Sequence, residues 1–295
     1  MKEFSHVLQR TNRQSTDSKV NQVQPLTALT IAGSDSGGGA GLQADLRTFG
    51  AFEVHGTTAV TAVTAQNTLG VTAVQFIDPE VVVAQVLAVV GDFDIRCVKT
   101  GMLAQASTVE RVAQLASEGL LPHLVVDPVL VSSTGHSLMD DGGVEAYRDA
   151  LLQFAEVVTP NLREAAVLCD VDVRDVMSHD DMVALARTLL GYGSTYVLVK
   201  GGHFAERSLT ESRSPDILVG NEGVFIFDAA RVRTTNDHGT GCSLSAAIAA
   251  GLGFGRSVPD AARDAKSFVL AALESATPWR LGAGRGPIDH LGWNA

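Results

Sequence analysis

Apolar and polar residues alternate with short periods along most of this chain. Runs rich in Val, Thr and Ile that end at glycine, proline or asparagine predict strands of the kind found inside α/β proteins. The predicted strands cover residues 26–32, 56–66, 71–77, 94–99, 123–127, 156–159 and 195–200. Residues 217–227 predict a β-hairpin that turns at 221–223.

Helical periods separate many of these strands. Leu42, Leu46 and Phe49 recur at i, i+4 and i+7, which predicts a helix after the first strand. Residues typical of helix N-termini indicate other helices, either an aspartate before proline or a serine N-cap. These signals stand at Asp78, Ser107, Ser178 and Ser257. Further helices are predicted over residues 143–153 and, as an amphipathic helix, after residue 242.

Strands that alternate with helices predict an α/β fold with a mostly parallel central sheet and helices on both faces. In such sheets ligands bind beyond the carboxyl ends of the strands. Six polar or glycine-bearing segments follow predicted strands, and we expect them to share one rim of the sheet. They are residues 33–35, 100–102, 127–129, 161–164, 200–203 and 239–242.

The segment that carries the strongest chemistry is Gly239, Thr240, Gly241 and Cys242, which opens the helix after residue 242. Glycines allow a tight turn with exposed N–H groups, and the helix N-terminus attracts anions. A thiol in the first helical turn can be activated. The segment therefore predicts a phosphate site beside a reactive side chain. The structural alternative is a turn into a buried helix with Cys242 as a small apolar residue.

Three further polar positions have both a structural and a functional interpretation. Asp45 lies at the edge of the apolar stripe of its helix, where a carboxylate needs either a ligand or an ion-pair partner such as Arg47. Asn161 and Glu164 are spaced as a capping box. Gln66 ends a predicted strand and by itself is typical of a turn.

Composition narrows the class of protein. The 295 residues are 45% hydrophobic and 5% aromatic, with 29 glycines, as in an α/β enzyme with glycine-rich loops. Residues 25–295 are predicted to form one domain, preceded by a polar, disordered extension over residues 1–24. A net charge of −11 and a pI near 5.1 argue against nucleic-acid binding, so any anion site must be local.

Cysteine usage and hydropathy bear on location. Cys97, Cys169 and Cys242 are widely spaced and are predicted to be reduced thiols of a cytoplasmic protein. No apolar run approaches the length of a membrane span, and we expect no membrane partner. Residues 132–143 are rich in Ser and Gly, which predicts a mobile loop that closes over substrate.

Long motifs in this chain resemble a known enzyme family. They include Gly-Ser-Asp-Ser-Gly-Gly-Gly-Ala-Gly at residues 33–41 and His-Gly-Thr-Gly-Cys at residues 238–242. The other matching stretches are residues 29–32, 42–45, 65–68, 99–103, 126–129, 159–166 and 199–203. Together they resemble the hydroxymethylpyrimidine/phosphomethylpyrimidine kinases of thiamine biosynthesis, which are members of the ribokinase-like superfamily.

The resemblance implies a ribokinase-like αβα sandwich and an ATP-dependent, Mg²⁺-dependent kinase, often a homodimer. It implies phosphorylation of 4-amino-5-hydroxymethyl-2-methylpyrimidine and then of its monophosphate, which gives the diphosphate. The implied catalytic residues are Cys242, Gly239, Thr240 and Gly241. The implied pyrimidine pocket is Gly33, Asp45, Gln66, Met102 and Val129. The implied nucleotide-binding residues are Asn161, Lys200 and Lys266, and the implied metal-binding residues are Glu164 and Asp127.

These roles agree with the chemistry of the side chains. The amide of Gln66 can pair with the donor–acceptor edge of an aminopyrimidine, and Met102 and Val129 can pack on its faces. Cys242 stands where most ribokinase-like enzymes carry an aspartate base, so the resemblance implies that it takes the proton of the attacking hydroxyl. For that task the helix N-terminus is expected to lower the pKa of the thiol.

The chain departs from the family pattern at three places. Ser132 and Ser133 stand where the family often has Ala-Lys, so a flap lysine is missing. Gly37 stands where the family more often has serine or another small residue, and Asp237 stands where it has threonine. Asp237 brings negative charge near the phosphate site. That charge weakens phosphate binding unless the carboxylate faces away or toward a metal ion.

Two other functions remain open from the sequence. A pyridoxal kinase, or a kinase that accepts both rings, could use the same pocket because both substrates are hydroxymethyl heteroaromatics. The alternative of another class is a metabolite-binding protein that keeps the fold without turnover, against which Cys242, Glu164 and Lys200 argue.

Overall fold

The computed structural model of the chain describes residues 24–130, 139–202 and 212–294. The predicted disordered extension thus lies almost entirely outside the described residues. The same holds for most of the predicted loop over 132–143, including Ser132 and Ser133, and for residue 203 of the rim segment 200–203.

A nine-stranded sheet runs through the described part of the chain in the order β3-β2-β1-β4-β5-β6-β7-β8-β9. Strands β2, β1, β4, β5, β6 and β7 pair with one another in parallel. Strand β3 pairs antiparallel with β2, β8 with β7, and β9 with β8. The strands are β1 Thr27–Asp35, β2 His55–Asn67, β3 Gly70–Phe76, β4 Ile95–Thr100, β5 Leu124–Val126, β6 Val157–Val158, β7 Tyr196–Val199, β8 Asp216–Gly220 and β9 Gly223–Phe227. The predictions of a mostly parallel sheet and of a β-hairpin over residues 217–227 are confirmed.

Helices cover both faces of the sheet, and each face has its own hydrophobic core. Neighbouring strand residues point to opposite faces, so Val126 packs into one core and Val125 into the other. The helices are α1 Gly41–Ala51, α2 Pro79–Val90, α3 Ala106–Ser117, α4 Gly143–Ala146, α5 Leu162–Leu168, α6 His179–Leu190, α7 Thr240–Gly253 and α8 Val258–Ala276. Helices α1, α7 and α8 pack on one face and α2 to α6 on the other, which is the αβα sandwich.

Three of the predicted helix starts are confirmed. The side chain of Asp78 accepts the N–H of Glu80 with Pro79 at the first helical position, and Ser178 and Ser257 cap α6 and α8. The capping box at Ser107 is wrong, because α3 already begins at Ala106. A carboxylate from a distant part of the chain, that of Asp140, accepts the N–H of Ala106 instead, at 2.7 Å.

Helix α7 differs from its predicted amphipathic form. All its residues from Ser243 to Leu252 are buried, because the helix lies between the sheet and helices α1 and α8. Small residues such as Ala246 and Gly251 allow this close packing; a Cβ at Gly251 would lie 2.8 Å from that of Ala261. The predicted helix over 143–153 is present, but after α4 it continues as a π turn, Tyr147–Leu151, and a 3₁₀ turn, Leu152–Phe154.

The carboxyl ends of the parallel strands meet at one edge, as their common direction requires. Strand β1 runs to Asp35, three residues beyond its predicted end, and its register against β2 shifts between Ala32 and Ser34. The irregularity falls at Gly33, which lies on the edge where the loops converge. Within the described residues, no helix is long and apolar enough to cross a membrane.

Candidate active site

A cavity of about 420 Å³ opens at the carboxyl edge of the sheet. Each of the six segments that the sequence places on one rim contributes to its lining, which confirms their predicted convergence. Of the predicted site residues, all but Asp45 line this cavity. The lining members are Gly33, Gln66, Met102, Asp127, Val129, Asn161, Glu164, Lys200, Gly239, Thr240, Gly241, Cys242 and Lys266.

One end of the cavity lies between β1, β2 and β4 and suits a flat ring. Met102 packs so closely on Gly33 that a Cβ there would lie 2.4 Å from the Met102 Cε atom. Gln66 and Val129 complete this end, which thus combines apolar surface with one amide. The opposite end, near α8, is lined by apolar side chains that include Val232, Val269 and Leu273.

Between the two ends stands the N-terminus of α7. Gly239 caps the helix with a φ of 90°, in the left-handed region that favours glycine. A Cβ there would also lie 1.9 Å from the carbonyl oxygen of Gly39, so only glycine fits. The first N–H groups of α7 have no partner within the helix, and Gly239 through Cys242 line the cavity. This arrangement is a binding site for an anionic group.

The Cys242 thiol does not have the low pKa that the sequence predicts. Burial raises its pKa to about 11, although the nearby Lys99 charge and the N–H of Gly41 act in the opposite direction. The loss of water around the thiol is the largest of the effects on its pKa. In the free protein at neutral pH, Cys242 therefore carries its proton.

Asp45 lies behind the cavity rather than in its wall. Its side chain is fully buried, and its two oxygens lie 3.0 and 2.8 Å from Lys99 Nζ. Thr30 donates a further hydrogen bond to it at 2.6 Å. The partner is thus a lysine from β4, not Arg47, which donates to the carbonyl of Gly38. Despite burial, the Asp45 charge raises the pKa of Lys99, so the two form a charged pair.

A second buried ion pair faces the cavity directly. Lys200 Nζ donates to Asp127 Oδ1 at 2.8 Å, and the ammonium lies against Gly241 in the first turn of α7. Thr159 and Ser245 donate to the two oxygens of Asp127 at 3.3 Å each. Although burial opposes it, the charges of Asp127 and Glu164 raise the pKa of Lys200. A cation thus stands beside the anion site.

Asn161 and Glu164 form a capping box, as their spacing in the sequence indicates, and they also line the cavity. Asn161 Oδ1 accepts the N–H groups of Arg163 and Glu164, while Glu164 Oε2 accepts the N–H of Asn161 at 2.8 Å. Burial raises the pKa of Glu164 to about 7, with Asp127 adding to the rise and Lys200 opposing it. The cap fixes both side chains at the start of α5.

The carboxylates of Asp127 and Glu164 are the oxygen donors that suit Mg²⁺. Among the described residues, no three His, Cys, Asp or Glu side chains form a cluster that could hold a metal ion by themselves. Mg²⁺ usually keeps several waters and binds through one or two carboxylates together with substrate phosphates. Two buried carboxylates beside a phosphate site fit that kind of binding.

Lys266 lines the end of the cavity near α8, but its ammonium group already has hydrogen-bond partners within the protein. It donates to the carbonyl of Ser214 and to Asp216 Oδ2, both at 2.8 Å. The other oxygen of Asp216 accepts the N–H of Gly201 at 2.9 Å. Lys266 therefore holds the start of β8 and the turn after β7 in position beside the cavity.

The structure resolves the question raised by Asp237. Its carboxylate forms a two-pronged ion pair with Arg285, whose Nε donates to it at 2.8 Å. Both residues line the cavity, and the arginine balances the negative charge near the phosphate site. The residues that supply this contact are 48 positions apart, so spacing in the sequence could not indicate it.

The analysis of single positions in the sequence did not identify three other residues in or near the site: Lys99, Asp35 and His238. Lys99 had a signal, since it stands within an otherwise apolar strand, where a charge requires a buried partner. Asp35 and His238, 203 residues apart, are in hydrogen-bond contact, with an Oδ2–Nε2 distance of 2.9 Å. The N–H groups of Gly37, Gly39 and Ala40 also bind Asp35, so that carboxylate shapes the whole glycine loop.

The fold and this cavity define a class: a small-molecule phosphotransferase with a ribokinase-like αβα sandwich. Residues 35–289 match the family model described as phosphomethylpyrimidine kinase. The chain therefore belongs to the phosphomethylpyrimidine kinase family.

Individual relatives agree with this assignment. The chain is 44% identical to the hydroxymethylpyrimidine/phosphomethylpyrimidine kinase of Rhizobium meliloti over 90% of this chain and 96% of that protein. It is 46% identical to the protein of the same name from Mycobacterium leprae, over 90% and 94% of the two chains. The pyridoxal kinase of Staphylococcus aureus in complex with AMP-PCP and pyridoxal superposes with a TM-score of 0.81 at 31% identity, covering 92% of this chain and 96% of that one.

Proposed function

We propose that this chain is an ATP-dependent kinase that phosphorylates 4-amino-5-hydroxymethyl-2-methylpyrimidine and then its monophosphate, in thiamine biosynthesis. The observation that carries the proposal is the lining of the cavity. Gly33, Met102, Val129 and the amide of Gln66 line it together with the N-terminus of α7, a binding site for an anionic group, and with apolar side chains of α8. Membership of the family and the names of the relatives support this substrate.

The pyrimidine is proposed to bind at the end formed by Gly33, Gln66, Met102 and Val129. Gly33 has no side chain to fill this end, and Met102 and Val129 offer apolar surfaces to the two faces of the ring. The amide of Gln66 pairs with the amino group and the adjacent ring nitrogen. The hydroxymethyl group then points toward the start of α7, where ATP delivers its terminal phosphoryl group.

Transfer is proposed to depend on the groups around the start of α7. The N–H groups from Gly239 to Cys242 hold charge on the transferred phosphoryl group, and Lys200 neutralises nucleotide phosphate. Asn161 uses its Oδ1 for the α5 cap, so its amide nitrogen is the donor left for the nucleotide. Asp127 and Glu164 hold Mg²⁺, which neutralises phosphate charge when it is bound.

Cys242 is proposed to act as the base for the attacking hydroxyl of the first step. A hydroxyl must lose its proton as it attacks, and a group within hydrogen-bond reach is needed to take it. Because the thiol is protonated in the free protein, only its thiolate form can take this proton, and the thiolate fraction grows as the pH rises. In the second step the acceptor is a phosphate monoester, which has already lost its second proton near pH 6. That step has no proton to remove.

Pyridoxal is the second candidate substrate, alone or beside the pyrimidine. The specific observation in its favour is the likeness to the Staphylococcus aureus pyridoxal kinase, whose structure contains pyridoxal. Both compounds present a hydroxymethyl group on a six-membered ring containing nitrogen. Gln66 favours the pyrimidine because pyridoxal carries no amino group for the amide oxygen.

The first experiment is ADP release with ATP and each of three acceptors: hydroxymethylpyrimidine, its monophosphate and pyridoxal. We expect turnover of both pyrimidines, with kcat/KM at least about tenfold above that for pyridoxal. Removal of Mg²⁺ with EDTA is expected to abolish turnover of both pyrimidines. Preference for pyridoxal would replace the substrate and keep the fold and mechanism, whereas turnover of none of the three would contradict the proposal.

The proposed kinase is a cytoplasmic homodimer. The ribbon β2–β3 exposes Val74 and Phe76 on one face, with Leu69 at its turn, an apolar surface that pairing with a second copy would bury. Light scattering is expected to give twice the 30.9 kDa chain mass. Phe76→Glu is expected to give the monomer, with Phe93→Glu as the matched exposed control on the loop before β4. A monomeric wild-type protein would exclude the dimer.

A further inference from the structure

His238 connects Gln66 of the proposed pyrimidine pocket to Asp35 of the glycine loop, and the proposal made from this contact rests on the proposed function. Its Nε2 atom lies 2.9 Å from Asp35 Oδ2 and 3.3 Å from Gln66 Nε2. The imidazole is mostly buried, and it packs on Gly39, where a Cβ would lie 2.4 Å from its Cδ2 atom. Gln66 in turn contacts Thr64, whose Oγ1 lies 3.1 Å from Gln66 Oε1.

The first step of the argument assigns the proton on His238. Asp35 Oδ2 already accepts the N–H groups of Gly39 and Ala40 at 3.0 and 2.9 Å. Burial works against ionisation, yet the contact with His238 and the N–H groups of Ala40 and Gly37 hold the pKa of Asp35 below its usual value. An imidazole lone pair at 2.9 Å from this anionic oxygen would be repelled, so Nε2 must carry a hydrogen and donate it.

The second step concerns the orientation of the Gln66 amide. With Nε2 of His238 as a donor, the NH₂ group of Gln66 meets another donor at 3.3 Å. At the other end of the amide, the hydroxyl hydrogen of Thr64 has a closer acceptor in the carbonyl of Ser34, at 2.9 Å, than in Gln66 Oε1, at 3.1 Å. After one half-turn of the amide, which exchanges its oxygen and nitrogen, Gln66 donates to the Thr64 oxygen. Its own oxygen then faces the N–H of His238 and shares that hydrogen with Asp35 Oδ2.

We propose that His238 is a positioning residue that holds the Gln66 amide with its oxygen toward the imidazole and its nitrogen toward Thr64. In this orientation one oxygen lone pair and one N–H remain for a ligand, in a fixed order. The order selects a heteroaromatic ring whose amino group lies on the His238 side of a ring nitrogen. A ring without the amino group leaves the Gln66 oxygen unpaired, which lowers the affinity of the protein for that ring. His238 thus determines specificity without touching the ring.

The test combines His238 and Gln66 variants in a double-mutant cycle. His238→Leu removes the donor, whereas His238→Gln can place an N–H near the position of Nε2. With hydroxymethylpyrimidine as acceptor, we expect His238→Leu to raise KM at least about tenfold and to change kcat by less than about threefold. His238→Gln is expected to return KM to within about threefold of the wild-type value.

The same His238→Leu change in a Gln66→Ala background is expected to leave KM unchanged, because the residue that it positions is gone. An equal loss in both backgrounds, or a loss confined to kcat, would show that His238 only supports the phosphate loop and would overturn the proposal. If His238→Leu does not fold, His238→Asn serves in its place, since its shorter amide cannot reach Gln66. Wild-type turnover of the pyrimidine tests the proposed function separately: its absence overturns both proposals, whereas its presence without coupling overturns only this one.

Discussion

Replacing Cys242 with alanine is expected to slow the first phosphorylation by about 10²–10⁴-fold and the second by less than about tenfold. The two steps differ because the hydroxymethyl group must lose a proton and the phosphate monoester need not. The measurement is single-substrate turnover with hydroxymethylpyrimidine and, separately, with its monophosphate. Equal losses for both acceptors would contradict a role as base and would indicate that Cys242 acts on the transferred phosphoryl group.

The pH dependence of the wild-type protein supplies a second readout of the same prediction. Since the pKa of Cys242 is about 11, the thiolate fraction grows as the pH rises from 7 toward that value. We expect kcat/KM for the first step to rise by up to about tenfold per pH unit over the range in which the protein stays folded. The second step is expected to show no such rise above pH 7, because its acceptor is already ionised.

Cys169→Ala is the matched control for this experiment. Burial also raises the pKa of Cys169 to about 11, but its sulfur lies 3.6 Å from the carbonyl oxygen of Leu185 and does not line the cavity. The substitution is expected to leave both steps unchanged. A similar loss in this variant would mean that removal of a buried thiol disturbs the fold, and the effect at Cys242 would then carry no catalytic meaning.

Replacing Lys99 with methionine is expected to lower the free energy of unfolding by about 3–5 kcal/mol. The substitution leaves the Asp45 carboxylate fully buried with the Thr30 hydroxyl as its remaining hydrogen-bond partner among the contacts described above. A loss of this size corresponds to a fall in Tm of roughly 10 °C for a chain of this size. Chemical denaturation measures the change directly.

Arg96→Met provides the control on the same strand. Arg96 pairs with Asp94 at 3.8 Å on the surface, with both side chains more than half exposed. Water screens such a pair, so the expected change is less than about 1 kcal/mol. Equal destabilisation by the two substitutions would contradict the view that burial of the Lys99–Asp45 pair makes it essential for stability.

Asp45→Asn distinguishes the two interpretations of that carboxylate. A direct contact with the pyrimidine, as the family resemblance implies, predicts a rise in KM in a protein that remains stable. The buried ion pair predicts loss of stability, because the amide leaves the Lys99 ammonium without its counter-charge. The position of Asp45 behind the cavity wall leads us to expect the second result, and KM together with the unfolding free energy decides between them.

The sequence by itself determined the alternation of strands and helices, the parallel sheet and the rim where six segments meet. Hydrophobic period and residues such as Asp78 and Ser178 depend on neighbours within a few positions, so they can be recognised along the chain. The glycine loop at Gly239 could also be recognised, because a left-handed cap and a close backbone approach both require glycine.

Only the tertiary structure decided what surrounds each polar side chain. It placed the half-buried Cys242 where loss of water raises a pKa that the helix N-terminus alone would lower, and it paired Asp45 with Lys99 rather than with Arg47. It also joined His238 to Asp35 across 203 positions. Burial and long-range pairing depend on which elements pack together in space. Local sequence carries no record of the partner, so these properties appear only when the chain is folded.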